Sequence, residues 1–246
     1  MYGKNTEVGV VNVITQKPSN ETKARIVAEA GEDEKRSLAL AASGAIVEDK
    51  LFIGISGKHY EKEGFVENST TGEIVDDREH DYGKIHLRLT PSDKLEASLV
   101  SSYIKYDNDA GSSGLAKNKS REVSSDLDAY NRSDVWMNSL NINYAINDNL
   151  SLTSVTAYRK YNENLANDFD YTDDSSQKFH VFGDSIYETL SQELRTNYEI
   201  GSVNLVSGCF WKEVRCILTK TRILTGRVPL LLFRMLMVIR SVCFHI

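Results

Sequence analysis

Five histidines, His59, His80, His86, His180 and His245, are the side chains best suited to moving protons or holding a metal near neutral pH, and they are scattered along the chain. No His-Glu-x-x-His or Cys-x-x-Cys pair accompanies them, so no metal site is read from spacing. Gly54-Ile55-Ser56-Gly57-Lys58 approaches a phosphate-binding loop but lacks its spacing and its closing Ser or Thr. Asp168, Asp170, Asp173 and Asp174 approach a calcium loop, yet no glycine marks the sharp turn and no glutamate closes it, which leaves a solvated acidic loop. No nucleophile and base stand at a defensible spacing. The chain is therefore expected to be no enzyme, with no catalytic residue, resident metal or cofactor.

The elements that would position these residues are legible in composition and rhythm. The chain has 246 residues, a formal charge of −6 and a pI near 5.5, which argues against a nucleic-acid partner. Charge is unevenly spread: residues 212–246 carry seven Lys or Arg against the single acid Glu213, a net of +6 that leaves −12 for the rest. The three cysteines, Cys209, Cys216 and Cys243, all fall late in the chain and support no disulfide framework. No signal peptide follows Met1, and the apolar run Val228 to Ile239 is too short for a membrane helix and holds Arg234. Any membrane role must rest on strands.

Residues 23–211 read as strands of roughly 9 to 13 residues joined by alternating short and long connections. The short turns, at residues 47–50, 91–94, 147–149 and 199–202, are rich in Asp, Asn, Gly and Pro. Long polar loops are expected at about 61–80, 107–134 and 162–184. Alternation is clear where Ile85, Leu87 and Leu89 oppose Lys84, His86 and Arg88, and where Trp136, Leu140, Ile142, Tyr144 and Ile146 oppose Met137, Ser139, Asn141 and Asn143. In residues 23–31, Ala24, Ile26, Ala28 and Ala30 oppose Arg25, Val27 and Glu29. A soluble β-sandwich also alternates, so alternation alone leaves it open. Short turns on one rim, long loops on the other, and aromatic residues near strand ends favour a membrane barrel.

The opening stretch from Tyr2 to Pro18, with Tyr2, Gly3, Lys4, Asn5, Gly9 and Asn12 as its most distinctive residues, resembles the signature that closes the plug domain of TonB-dependent outer-membrane receptors. Val8 stands where that family usually has a second glycine. Leu152 to Arg159 and Ser191 to Arg195 are similar to barrel strands of siderophore receptors in the same family.

The resemblance implies an all-β chain: an antiparallel transmembrane β-barrel fragment of about nine strands, preceded by the last strand of a plug, within a barrel of about 22 strands. The expected division is 1–20 for the plug end and 21–211 for the N-terminal part of the barrel. Residues 212–246, where alternation and acidic balance are lost together, form an aberrant basic tail, a shifted reading frame or else a basic membrane-surface segment. The family implies uptake of an iron–siderophore complex across the cell outer membrane, with membrane lipid and an inner-membrane TonB complex as further partners. Phe65, Tyr130, Phe169 and Tyr171 are the candidate ligand-contacting aromatics of the long loops. Signal peptide, TonB box and most of the plug are expected before the motif, so the chain reads as a fragment whose open edges leave it non-functional alone. A passive porin-like channel shares the barrel but has no plug, so the motif counts against it.

Overall fold

The computed structural model describes residues 15–111, 121–174, 176–225, 228–229 and 235–245, and the motif residues Tyr2, Gly3, Lys4, Asn5, Gly9 and Asn12 lie outside them. The alternating segments form strands β1 (Lys23–Ala30), β2 (Arg36–Val47), β3 (Leu51–Lys62), β4 (Glu67–Asn68), β5 (Arg78–Ser92), β6 (Leu95–Asp109) and β7 (Glu122–Val123). They continue as β8 (Tyr130–Ala145), β9 (Leu150–Asp168), β10 (Phe179–Ile200), β11 (Val203–Thr225), β12 (Val228–Pro229) and β13 (Met235–His245). One 11-stranded sheet runs β1-β2-β3-β5-β6-β8-β9-β10-β11, with β12 and β13 both pairing β11, and every neighbour is antiparallel. β4 and β7 form a separate parallel pair. Among the described residues the sheet is open, because β1 and β13 do not meet.

The up-and-down order puts residues 48–50, 93–94, 146–149 and 201–202 on one rim. These are tight turns with the expected chemistry: Asp49 takes φ 59° and Gly201 φ 57°, and the Asn147 side chain accepts the N–H groups of Asn149 and Leu150 at 3.0 and 2.9 Å. The opposite rim carries the connections 31–35, 63–77, 110–129 and 169–178.

Strands differ from the expected 9 to 13 residues. β9 has 19 residues and β10 has 22, and both run well into the stretch expected as a loop at about 162–184. Backbone pairing does not need apolar side chains, and polar ones reinforce it across strands, as when Asn162 donates to Asp134 at 2.8 Å. Nor does pairing change at Lys212: β11 keeps its register with β10, save one bulge, from Val203 to Thr225.

Register assigns each side chain a face. One face gathers Ile26, Leu38, Leu40, Ile55, Ile85, Leu89, Leu99, Trp136, Leu140, Tyr144, Leu190, Leu194 and Leu205, all exposed, with Ile26 reaching 72%. No described element covers them, and among the described residues the buried apolar set is Phe52, Val123, Ala129, Val135 and Ala166. A sandwich would hide this face against a second sheet. An exposed apolar band of this extent belongs in lipid. Among the described residues no helix is long and apolar enough to cross a membrane. On β8, Trp136, packed at a tilt against Tyr103 with ring centroids 4.7 Å apart, and Tyr144 bracket the band. Eight residues separate them, about 27 Å along the strand, or about 20 Å of height at the usual tilt, near the roughly 25 Å apolar belt of such barrels.

The band also slants across the sheet. Leu38 of β2 shares a row with His59, Asp81, Lys105, Asp134 and Asn162, while the row of Leu51, Leu89, Ile142 and Leu194 is passed on β10 by exposed Tyr198 and Ile200. That drift is what strands tilted to a membrane normal require. Within the band, polar groups bond to one another: Thr156 donates to Gln192 at 2.5 Å, and Gln192 donates to Ser154 at 3.0 Å.

The other face carries Lys84, His86 and Arg88, and the described residues that close the motif lie against it. Arg88 donates to the Pro18 carbonyl at 3.3 Å and to Glu96 at 2.8 and 3.0 Å, Lys17 pairs with Glu96, and Lys84 donates to Thr15 at 3.3 Å. Asn20 and Asp49 exchange two hydrogen bonds at 2.6 and 3.0 Å, fixing the segment at the short-turn rim. Polar groups held against a charged inner wall define the barrel interior.

The two faces respond oppositely to charge. Leu140→Arg is expected to cost about 2–4 kcal/mol of folding free energy in lipid vesicles, against under about 1 kcal/mol for the inward Ser139→Arg. Urea titration of both variants checks this, and equal costs would remove the lipid assignment.

Candidate functional site

The long loops interlock through buried polar groups. Asn68, almost fully buried on β4, donates to the Ser125 carbonyl at 3.0 Å and accepts from the N–H groups of Thr70 and Ser125 at 3.1 and 3.3 Å. Ser125 donates from its hydroxyl to Asp168 at 2.6 Å, and Thr70 to Asp173 at 3.2 Å. Three connections are thereby tied: 63–77, 110–129 and 169–178. Gly64 is required at its place, since a Cβ would sit 1.9 Å from Asp76 Oδ1 and 2.8 Å from the Asp76 backbone.

The acidic stretch noted in the sequence is turn structure. Asp168 accepts the N–H groups of Asp170 and Tyr171 at 3.1 and 3.2 Å, Asp170 accepts that of Thr172 at 3.2 Å, and Asp174 accepts from Ser176 and Gln177. Asp126 lies between Lys178, at 2.8 Å from its Oδ2, and His180, at 2.8 Å from its Oδ1. Burial pushes the Asp126 carboxyl up, but the hydrogen bond from Lys178 and the nearby His180 prevail and hold it below the ordinary range. Lys178 is raised in turn by that bond.

The four aromatic residues nominated from sequence all lie on the long-loop rim, each in its own surroundings. Phe65 is sandwiched by Lys62 and Arg121, at 5.6 and 4.9 Å from its ring centroid. Tyr130 opens β8 beneath the Arg132 guanidinium at 4.4 Å. Phe169 packs on Phe179 at 5.8 Å, and Tyr171 takes φ 57° in the Asp168 turn. Structure does not gather them into one cavity.

It gathers a different set on the inner wall below the loops. Lys58, Tyr60, Arg78, His80, Tyr82, Ile104 and Tyr106 line an open basin of about 340 Å³ together with Asp81. Tyr60 stacks on His80 at 5.3 Å, Tyr106 meets His80 edge-on at 4.7 Å, and the Lys58 ammonium lies 5.8 Å from the Tyr60 ring. His80 is held by Asn108 at 2.8 Å. Two permanent cations beside three phenols suit an anionic ligand with flat unsaturated groups, through charge-assisted hydrogen bonds and stacking. Sequence reasoning placed ligand contacts in loops and missed this basin. The signal was present: Tyr60, His80 and Tyr106 fall in one row once register is known, and all sit on the polar side of the alternation.

No protein-family model matches the chain. Solved structures do match its fold. The ferric yersiniabactin uptake receptor FyuA from Yersinia pestis aligns over 87% of this chain with a TM-score of 0.74 and 20% identity. The ferric-catecholate import receptor Fiu from E. coli K12, in its closed form, covers 93% at TM-score 0.68 and 13% identity, and the copper transporter OprC covers 85% at TM-score 0.64 and 13% identity. The chain spans about a third of the length of these proteins, 34%, 36% and 30% respectively. The chain therefore shares the antiparallel β-barrel fold of these two receptors and this transporter over about a third of their length.

Removing the Asn68 amide strands its partners at Thr70 in its own loop and at Ser125 in a second loop. Asn68→Ala is expected to weaken loop closure by about 1–3 kcal/mol, seen as faster amide exchange at Ser125 and Thr70 with strand exchange unchanged. The Asp126 tie has its own pH signature: a depressed carboxyl stabilises above the unfolded aspartate range and loses that contribution as pH falls through its folded value. Protease sensitivity of residues 121–129 should thus be flat at neutral pH and rise only in acid.

Proposed function

We propose that this chain is part of a TonB-dependent outer-membrane receptor that takes up an iron–siderophore complex. The observation that carries the reading is the fixing of Thr15 to Asn20 on the inner wall by Lys84, Arg88, Glu96 and Asp49. This segment is the end of the plug-like motif and the two residues after it, so the chain is led into the lumen where a plug would sit. A porin-like channel has no use for such a strap, and its lumen would be open.

In this reading residues 1–20 end the plug and 21–211 supply barrel strands. Residues 212–246 form a basic tail of different character, a reading supported by its charge and lost alternation, although β11 pairs straight through its beginning. Phe65, Tyr130, Phe169 and Tyr171 make the first contacts with ligand on the loop rim. The Lys58–Tyr60–Arg78–Tyr106 basin receives its anionic groups below. Energy comes from an inner-membrane TonB complex acting on the plug of the complete receptor. The residues present act by binding and guiding, with no bond made or broken, so the role is non-enzymatic and the location is the outer membrane.

FyuA and Fiu are described as receptors for ferric ligands, whereas OprC is described as a copper transporter. The basin favours the first kind: its cations would repel a bare metal ion and attract a polyanionic chelate. The test is titration of the full chain in detergent with a ferric tris-catecholate, read by quenching of tryptophan fluorescence. Saturable binding weakened about tenfold by Lys58→Ala or Arg78→Ala is expected. Binding of Cu²⁺ but not of the ferric chelate, or chelate binding indifferent to both substitutions, would overturn the assignment.

A further inference from the structure

Among the polar clusters that the uptake reading leaves unused, one is built differently from the rest. His180 is the second residue of β10 and stands directly opposite Asp168, at the end of β9, while Asp126 enters from the connection before β8. One donor atom from each of the three lies within 4.8 Å of the others. The His180 side chain is 5% exposed, and its Nε2 has no hydrogen-bond partner. The same is true of Asp126 Oδ1, only 2.8 Å away. The two atoms are close enough for a bond but not directed along one. When the imidazole is neutral, two buried, facing acceptors that share no hydrogen bond are costly unless something sits between their lone pairs.

We propose that Asp126, Asp168 and His180 form a binding site for a first-row divalent cation of the Zn²⁺ type. One imidazole nitrogen and two carboxylate oxygens are a donor set for such an ion, and they are too few and too nitrogenous for Ca²⁺, which takes six to eight oxygens. The surroundings fit that role. Lys178 occupies Oδ2 of Asp126 and leaves Oδ1 to the cation. Asp168 is oriented by the Ser125 hydroxyl and by the N–H groups of Asp170 and Tyr171, the kind of support that fixes a ligating carboxylate. Asp170 Oδ2, 3.8 Å from His180 Nε2, adds negative charge at the site.

A second trio, His59, Glu79 and Asp81, has similar donor spacing. It differs in the decisive respect: His59 is exposed and its Nδ1 is hydrogen-bonded to Asp81 at 2.8 Å. It has no orphaned buried donor, and it serves as an internal control.

The cation would fasten the connection before β8 to the β9–β10 hairpin, next to the Asn68 tie, and so stiffen the loop rim whichever ligand the barrel carries. The experiment is calorimetric titration of the full chain in detergent with ZnCl₂, alongside His180→Asn, Asp126→Asn and His59→Asn, with strand content of each followed by circular dichroism. One equivalent of Zn²⁺ is expected in the parent chain and in His59→Asn, and binding at least about tenfold weaker in His180→Asn and Asp126→Asn at unchanged strand content. Because Asp126→Asn preserves shape and unchanged strand content controls for folding in His180→Asn, loss of binding in both variants reports the donors. No binding by the parent chain, binding retained in both site variants, or loss only in His59→Asn would each overturn the proposal.

Discussion

Lipid offers the backbone no hydrogen-bond partner, so a chain that crosses a bilayer as strands must pair every N–H and C=O within its sheet. The rest of this structure depends on that constraint. It explains why neighbours are joined on one rim by tight turns of two to four residues, with Asp49, Asn147 and Gly201 supplying the conformations needed. It also explains why side chains sort by parity alone: once pairing is fixed, every second residue faces lipid and the others face the lumen. The apolar band from Ile26 to Leu205, its slant across the rows and the self-satisfied Ser154–Gln192–Thr156 group all follow.

Above the band the same pairing continues without the lipid. There Lys160 and Glu188 share a row beyond Tyr158, and Glu213 bonds Arg215 beyond Trp211, so the outward face turns from apolar to charged without any change in strand geometry. These extensions lift the loop rim clear of the membrane and give it walls. Polar ties among three loops then close the rim, and the cationic, aromatic basin opens on the inner side just below. Position in the sheet, rather than local motif, decides what each of these residues can meet.

The sequence made the faces legible, because period-two alternation survives in single segments such as Lys84 to Leu89. The turns were legible from Asp, Asn and Gly. Strand ends were not, since Asn162, Glu163 and Asn164 look like loop residues yet pair across β8, β9 and β10. The basin and the Asp126–Asp168–His180 cluster were hidden for a different reason. Tyr60, His80 and Tyr106 come from three strands, and Asp126 and His180 from segments 54 residues apart; only register brings them together. Loop aromatics such as Phe65 and Phe169 attracted notice as isolated apolar residues in polar stretches, a signal that does not encode convergence.

The claim on which everything else rests is that the face bearing Trp136 meets hydrocarbon. The most direct test is fluorescence of Trp136 in a Trp211→Phe chain folded into vesicles whose lipids carry bromine at defined acyl depths. The account predicts strong quenching, greatest for bromine near the headgroup end of the chain, and little quenching by aqueous iodide. Emission quenched by iodide and untouched by bromolipid would put that face in water and contradict the barrel.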